Sequence, residues 1–249
     1  MILVKESDID IMREKLKIIP LGGLDEIGKN MTLIEFGNDI IVIDCGLAFP
    51  DDDMLGVDLV IPDTTYLKRN VRKLRGYLIT HGHEDHIGGL PYVLREMNAP
   101  VYGTRLTCGM IEAKLTEHRM PSKVRFNRVK AGDTVKLGCF TVEFIHTNLS
   151  IADAVALAIR TPLGTIIHTG DFKVDLTPAY GDMIDLARFG ELGKEGVLAL
   201  MSDSTNVERA GYTPSEQTVG AGLENFFKNC RERIIIATFA SNVSRLQQI

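Results

Sequence analysis

No run of this sequence approaches the roughly 20 consecutive apolar residues that cross a bilayer. The N-terminus, with Lys5, Glu6, Asp8 and Asp10, also lacks the apolar core of a signal peptide. Cysteine is scarce: Cys45, Cys108, Cys139 and Cys230 lie far apart, without a C-x-x-C pair. Three of them stand in apolar runs, which points to reduced, buried thiols in a cytoplasmic protein rather than to a disulfide framework. Excess positive charge is missing too. A net charge of −5 excludes broad electrostatic coating of nucleic acid, but not a nucleic-acid enzyme that uses a local groove and metal ions. The glycine-rich loop Leu24–Asn30 lacks G-x-x-x-x-G-K-[ST] and no helix follows it, so it is no nucleotide loop. There is no internal repeat and no low-complexity segment.

What is present supports a sizeable core. Of the 249 residues 45% are apolar and 24% charged, enough for one large α/β domain or for one domain and part of another. The chemistry is concentrated in Thr80-His81-Gly82-His83-Glu84-Asp85-His86, which holds three of the six histidines. This stretch follows the strand-like run Tyr77-Leu78-Ile79. It precedes Ile87, Leu90, Val93, Leu94 and Met97, spaced as one face of a helix. The histidines therefore sit on a strand-to-helix turn, where side chains can converge on a point. Neutral imidazole and carboxylate are the ligands that divalent zinc or manganese prefers. The pattern H-x-H-x-D-H offers His81 and His83 from one side and Asp85 and His86 from the other, which suits two ions.

In chain order, a polar lead of about fifteen residues is expected to precede a strand over Leu16–Leu21. Met31–Phe36 and Ile40–Ile43 read as a hairpin around Gly37-Asn38-Asp39. Asp44 ends the second strand, either capping the next turn or accepting the free N–H of a metal-bound histidine. Asp51–Asp53 read as a solvated acidic loop. Lys68, Arg69, Arg72, Lys73 and Arg75 read as a basic helix surface. A strand at Val101-Tyr102, a helix over Thr104–Glu117 and strands at Val124–Val129, Thr134–Leu137 and Phe140–His146 follow. Val155, Leu157 and Ile159 alternate with alanines, as in a strand. Thr165–Thr169 leads to Gly170-Asp171 at another strand end, where Asp171 bridges two metals or caps a turn. His168 packs against or supports the site, and His118 is a surface residue.

Those residues carry a resemblance. H-x-H-x-D-H after a strand, with strand-end aspartates before and after it, is similar to the metallo-β-lactamase fold. Four longer strings narrow it: Leu21–Met31, Asp44–Pro50, His168–Lys173 and Ser202–Asn206 resemble the ribonuclease J family, a β-CASP branch of that fold. The resemblance runs from about Leu16 to Ile249. It implies an αβ/βα sandwich over residues 1–211 and the start of an inserted β-CASP domain over 212–249. It implies that His81 and His83 hold one metal, Asp85 and His86 the second, and that Asp171 bridges them. Zinc is the first choice, with manganese or magnesium as alternatives. Asp44 orients a ligand from behind, and Asp203 matches the first signature acid of the β-CASP group. Asp85, Asp171 and Asp203 are thus the expected catalytic acids. A capping box at Thr213–Glu216 opens a helix, and a strand at Ile234–Thr238 leads to Ser241 and Asn242 beside a bound nucleotide.

Two departures qualify the resemblance. The family places a metal-binding histidine where this chain has Leu149, and His146, three residues away, points to the other strand face. The sequence is also expected to be an N-terminal portion, without the family's last metal-binding and phosphate-binding residues. The implied activity is metal-assisted RNA phosphodiester hydrolysis, exonucleolytic from the 5′ end and also internal, by an intact protein that self-associates or joins other RNA-decay proteins. This chain alone is expected to be impaired. Three alternatives remain open: a hydrolase of small esters, thioesters or lactams, a degenerate RNA-binding or partner-binding subunit, and a DNA-directed relative.

Overall fold

The computed structural model describes residues 14–120 and 124–249, so most of the expected polar lead lies outside the described residues. Two sheets form the centre. The first has the order β1 (Lys17–Gly22), β2 (Met31–Phe36), β3 (Asp39–Ile43), β4 (Leu74–Leu78), β5 (Val101–Gly103) and β6 (Phe126–Arg128). Its first three strands are antiparallel and the rest join in parallel. The second comprises β7 (Thr134–Leu137), β8 (Phe140–His146), β9 (Val155–Thr161), β10 (Gly164–His168) and β11 (Val197–Met201). It runs in the order β11-β10-β9-β8-β7, with only β10 and β11 parallel.

Strict alternation divides the core into three layers, because successive strand side chains point to opposite faces. Ile34, Phe36, Ile41, Ile43 and Leu78 meet Phe140, Phe144, Val155, Leu157 and Ile159 between the sheets. Met31, Leu33, Ile40 and Val42 face outward, under α2 (Glu84–Ile87), α3 (Leu90–Glu96) and α4 (Arg105–Glu117). On the far side, Ala156 and Ala158 pack with Leu192 of α5 (Leu186–Glu195). Small residues there let a helix lie close to the sheet. The result is the four-layer αβ/βα sandwich expected from the sequence. Each fully buried isoleucine or leucine contributes about 1.5–3 kcal/mol relative to exposure.

Several local expectations are corrected. The basic run is not one helix face: α1 (Thr65–Arg69) ends before a single 3₁₀ turn at Val71–Lys73, and Arg75 lies in β4. Three of its five charges are also partnered within the fold, Lys68 with Glu96, Lys73 with Glu35 and Arg75 with Asp39. The strand expected at Val124–Val129 shrinks to β6, where pairing with β5 is available. Ser215, not Thr213, caps α6 (Glu216–Asn229), accepting a bond from the Gln217 amide at 3.2 Å. The start is fixed there because the Glu216 amide donates to the buried Asp175 carboxylate at 2.9 Å, while Lys173 and Arg245 each pair with the Glu216 side chain at 3.0 Å. Ile234–Thr238 forms no strand. Among the described residues no neighbouring strand supplies a ladder, and Ile235 stays 93% exposed. Asn242 instead caps α7 (Val243–Gln248) through the Arg245 amide at 3.0 Å.

Candidate metal centre

The histidine turn is fixed by backbone pairing before any side chain acts. Beyond β4, the Ile79 amide bonds the Tyr102 carbonyl at 2.8 Å, and the Thr80 carbonyl accepts from the Val155 amide at 3.0 Å. The second bond ties the turn to the other sheet. The turn then enters α2, whose carbonyls are met from outside. Asn30 N donates to Asp85 O at 3.0 Å, Cys45 N to His86 O at 2.8 Å and Leu47 N to Glu84 O at 3.2 Å. The segment after β3 thus lies flat against the turn.

Asp44 organises the side chains. Held at φ 57°, it accepts from the Thr80 amide and hydroxyl, both at 2.8 Å, and from His86 Nδ1 at 2.7 Å. This carboxylate contact fixes Nδ1–H in His86 and turns Nε2 outward. The Thr80 hydroxyl, having given its proton to Asp44, accepts from His81 Nδ1 at 3.0 Å. His81 Nε2 therefore also presents its lone pair, 3.1 Å from His83 Nδ1. From the second sheet, Asp171 follows β10 and places Oδ1 3.2 Å from His86 Nε2 and Oδ2 3.9 Å from His81 Nε2. Asp85 Oδ2 lies 3.6 Å from His86 Nε2.

These contacts make two groups, His81–His83–Asp171 and Asp85–His86–Asp171, each with its ligand atoms within 4.8 Å of one another. Ligands about 2.0–2.2 Å from one ion stand roughly 3–4 Å apart, so both donor sets fit a divalent cation. Asp171 is common to both groups.

The electrostatics of His81 and His83 suit the same use, whereas those of His86 favour its charged form. Burial among other imidazoles holds His81 well below its ordinary range, and burial lowers His83 and His168 as well. Neutral rings are the form a cation needs. His86 is raised: burial opposes its charge, but the Asp44 and Asp171 carboxylates outweigh that cost. Burial would raise Asp171, yet its bond to His86 and the surrounding histidines lower it.

A cleft of about 740 Å³ opens onto the Asp85–His86–Asp171 group. Its walls are the Gly22–Gly28 loop and the segment Ser202–Arg209, and Asp203 stands in that second wall. Asp203 accepts from the Thr205 amide at 2.8 Å. Ser241 and Asn242 are not in the lining, and His146 turns away to bond the Asp182 carbonyl at 3.0 Å. Leu149 is half-buried. His118 ends α4 and packs edge-on against Tyr92 at 5.3 Å. Sequence reasoning assigned no role to Thr80, which sets the His81 tautomer, or to Asn30, whose carboxamide enters the site. The only available signal for Asn30 was its place in the string Leu21–Met31.

A family model described as the metallo-beta-lactamase superfamily matches residues 24–182, well over half of the chain. The chain belongs to the metallo-beta-lactamase superfamily. That superfamily binds divalent metals, and the two groups above are where this member can hold them. Among curated proteins, the chain is 48% identical to "Ribonuclease J" of Synechocystis, covering 95% of this chain and 37% of that protein. It is 46% identical to "Ribonuclease J" of Helicobacter pylori strain J99, over 95% of this chain and 34% of that protein. For the Thermus thermophilus "Ribonuclease J" the identity is 44%, over 95% and 43%. The chain thus spans 34–43% of the length of these relatives. A crystal structure of a protein of unknown function from Enterococcus faecalis V583 matches with a TM-score of 0.69. At 19% identity, covering 94% of this chain and 62% of that one, it shares the fold.

Proposed function

We propose that this chain carries the metal centre of a ribonuclease J-like RNA phosphodiester hydrolase. One observation carries the reading: two histidine–carboxylate groups share Asp171 beside an open cleft, in a chain 44–48% identical to proteins named Ribonuclease J. His81 and His83 would hold one cation and Asp85 and His86 the second, with Asp171 available to both. When bound, such cations acidify a water and neutralise charge on the attacked phosphate. The chain's own part is geometric. Asp44 orients His86, Thr80 orients His81, and the cleft admits a strand of RNA past Asp203. The hydroxyls and amides of Ser202–Asn206 suit phosphate oxygens. Zinc is the preferred ion, since imidazole supplies three of the five ligand residues. A second unit begins near Tyr212, and Ser241 and Asn242 serve the nucleotide from there. Self-association, partnership with other RNA-decay proteins and a cytoplasmic site of action belong to the same reading.

Leu149 supports a second reading, a binding subunit with impaired catalysis, because leucine cannot donate a lone pair where the family has histidine. The test compares 5′-labelled RNA, DNA of the same sequence, a thioester and a chromogenic lactam. Each is given to this chain and to a version extended with the C-terminal part of a ribonuclease J relative. Cleavage of RNA by the extended protein, faster on 5′-monophosphate than on 5′-hydroxyl ends and lost in Asp85→Ala, is expected. Turnover of lactam or thioester without RNA cleavage refutes the proposal, whereas metal-independent RNA binding without cleavage favours the second reading.

A further inference from the structure

The loop Gly22–Asn30 does more than wall the cleft. It ends in two left-handed residues, Gly28 at φ 96° and Lys29 at φ 52°, which turn Asn30 inward just before β2. Its own fold is tied by the Lys29–Glu26 ion pair at 2.9 Å and by the Gly23 amide on Glu26 at 3.0 Å. Asn30 is then clipped to the turn through its backbone, donating to Asp85 O at 3.0 Å and accepting from the Gly46 amide at 2.9 Å. Its side chain is not needed for that docking. Yet Asn30 Nδ2 reaches Asp85 O at 3.1 Å, Asp85 Oδ2 at 3.3 Å and His86 Nε2 at 3.1 Å. Both Asp85 oxygens can only accept, so the nitrogen is the amide end that faces them. The amide oxygen lies on the other side against Gly23, where a Cβ would come within 2.5 Å of it.

We infer that Asn30 is a positioning residue for the Asp85–His86 group, holding the Asp85 carboxylate in the rotamer that a divalent cation needs. The inference rests on the metal-centre reading above. Among the described residues, Asn30 is the hydrogen-bond donor to the Asp85 carboxylate. The Asp85 side chain is 34% exposed, against 2% for His86, so burial does not fix its rotamer. His86 is locked by Asp44, and without Asn30 its partner ligand would swing in solvent. A carboxylate already held loses less rotamer freedom when a cation arrives. The same amide stands against two atoms that would present lone pairs to a cation, Asp85 Oδ2 and His86 Nε2. Loops that merely close a cleft have no reason to aim a donor at that point.

The test is titration of the chelator-treated chain with Co²⁺ followed by absorption, and with Zn²⁺ followed by calorimetry, for wild type, Asn30→Ala and His86→Ala. Removing partners that orient metal ligands typically weakens affinity about 10–100-fold. Asn30→Ala is expected to weaken the second equivalent at least tenfold. The first equivalent, on His81 and His83, and the melting temperature without metal should be unchanged. Two unchanged equivalents overturn the inference, as does equal weakening of both together with a lower melting temperature, which marks a structural role. His86→Ala separates the levels by abolishing the second equivalent. Should His86→Ala keep it, or should wild type take up no second cation at millimolar concentration, the metal-centre reading fails and this inference with it.

Discussion

Gly46→Ala tests the clamp on the metal turn with one methyl group and no change of charge. Gly46 follows Asp44 and Cys45 and lies flat on the start of α2. A Cβ built there overlaps the Asp85 carbonyl carbon and oxygen and falls 2.9 Å from the His86 amide nitrogen. These are backbone atoms, so no rotamer change relieves the contact. An ordinary carbon–oxygen contact is about 3.3 Å, which requires the two segments to part by on the order of 1.5 Å. That movement breaks the hydrogen bonds from Cys45 N to His86 O, Leu47 N to Glu84 O and Gly46 N to Asn30 O, at 2.8, 3.2 and 2.9 Å. Overpacking of a tight site costs about 1–3 kcal/mol, and rigid neighbours place this one at the upper end. For a domain of this size roughly 3 kcal/mol corresponds to about 6–12 °C in melting temperature. Ligand atoms must be placed to about 0.2 Å, so the Asp85–His86 group should lose its cation while His81–His83 keeps one. The assay is calorimetric unfolding plus metal stoichiometry. Gly190→Ala is the control, since nothing lies within 4 Å of its Cβ in α5. It should be neutral or stabilising by about 0.5–1 kcal/mol. A Gly46→Ala protein that melts like wild type and binds two equivalents refutes the argument.

Three further outcomes follow from particular contacts. Asp44→Asn keeps a side chain tolerant of positive φ but offers His86 Nδ1–H a weaker or misdirected partner. The second cation should bind about 10–100-fold more weakly, checked by chelator competition, with the fold intact by circular dichroism. Glu35, 2% exposed, accepts Lys73 at 2.8 Å, Lys17 at 3.1 Å and Tyr66 at 2.6 Å. Burial opposes its charge, but these donors hold its carboxyl below the usual glutamate range of 4.5. A depressed folded value contributes stability above the unfolded pKa and loses it as pH falls. Glu35→Gln should therefore cost about 1–2 kcal/mol at pH 7, by urea unfolding, and the gap to wild type should close below about pH 4. An undiminished gap at pH 3 would show that charge is not the cause. Leu149→His should tighten the first cation at least tenfold, about 1.4 kcal/mol, in a zinc titration. Unchanged affinity would mean that position 149 does not reach the His81–His83 side.

What was legible in the sequence was what lies close together along it. His81, His83, Asp85 and His86 fall within six consecutive positions, and the periodicity on either side fixed their strand-to-helix context. The alternation of Val155, Leu157 and Ile159 with alanines marked a strand, and the structure adds that the alanine face takes α5. Asp44 and Asp171 could be picked out because strand ends meet at one edge. Contacts across long separations were not legible. Asn30 reaches Asp85 over 55 positions through a loop whose left-handed residues leave no periodic trace. Glu35 was given no role by the sequence, yet lies buried with Lys17, Tyr66 and Lys73 reaching it from three other segments. Ile234–Thr238 has the β-branched content of a strand, but a strand needs a neighbour and propensity alone does not supply one. The α6 cap moved from Thr213 to Ser215 because the buried Asp175 carboxylate fixes where the first amides point.

The two sheets contribute unequally to the centre, and this explains why Asp171 matters beyond its own two oxygens. Asp44 and the whole histidine turn belong to the first sheet, whereas Asp171 comes from the end of β10 in the second. The Thr80–Val155 hydrogen bond joins the sheets at the same edge, and the apolar layer between them does the rest. Any cation held by Asp171 and either half of the turn therefore spans the seam and stabilises the docked sheets. At a free concentration 100 times the dissociation constant that linkage is worth about 2.7 kcal/mol. Because both groups use Asp171, their affinities are coupled through one side chain, and losses at Asp171 and at the histidines cannot add as independent sites do. With Asp171 on one sheet and the histidine turn on the other, the candidate centre is a property of the sandwich rather than of the histidine turn alone.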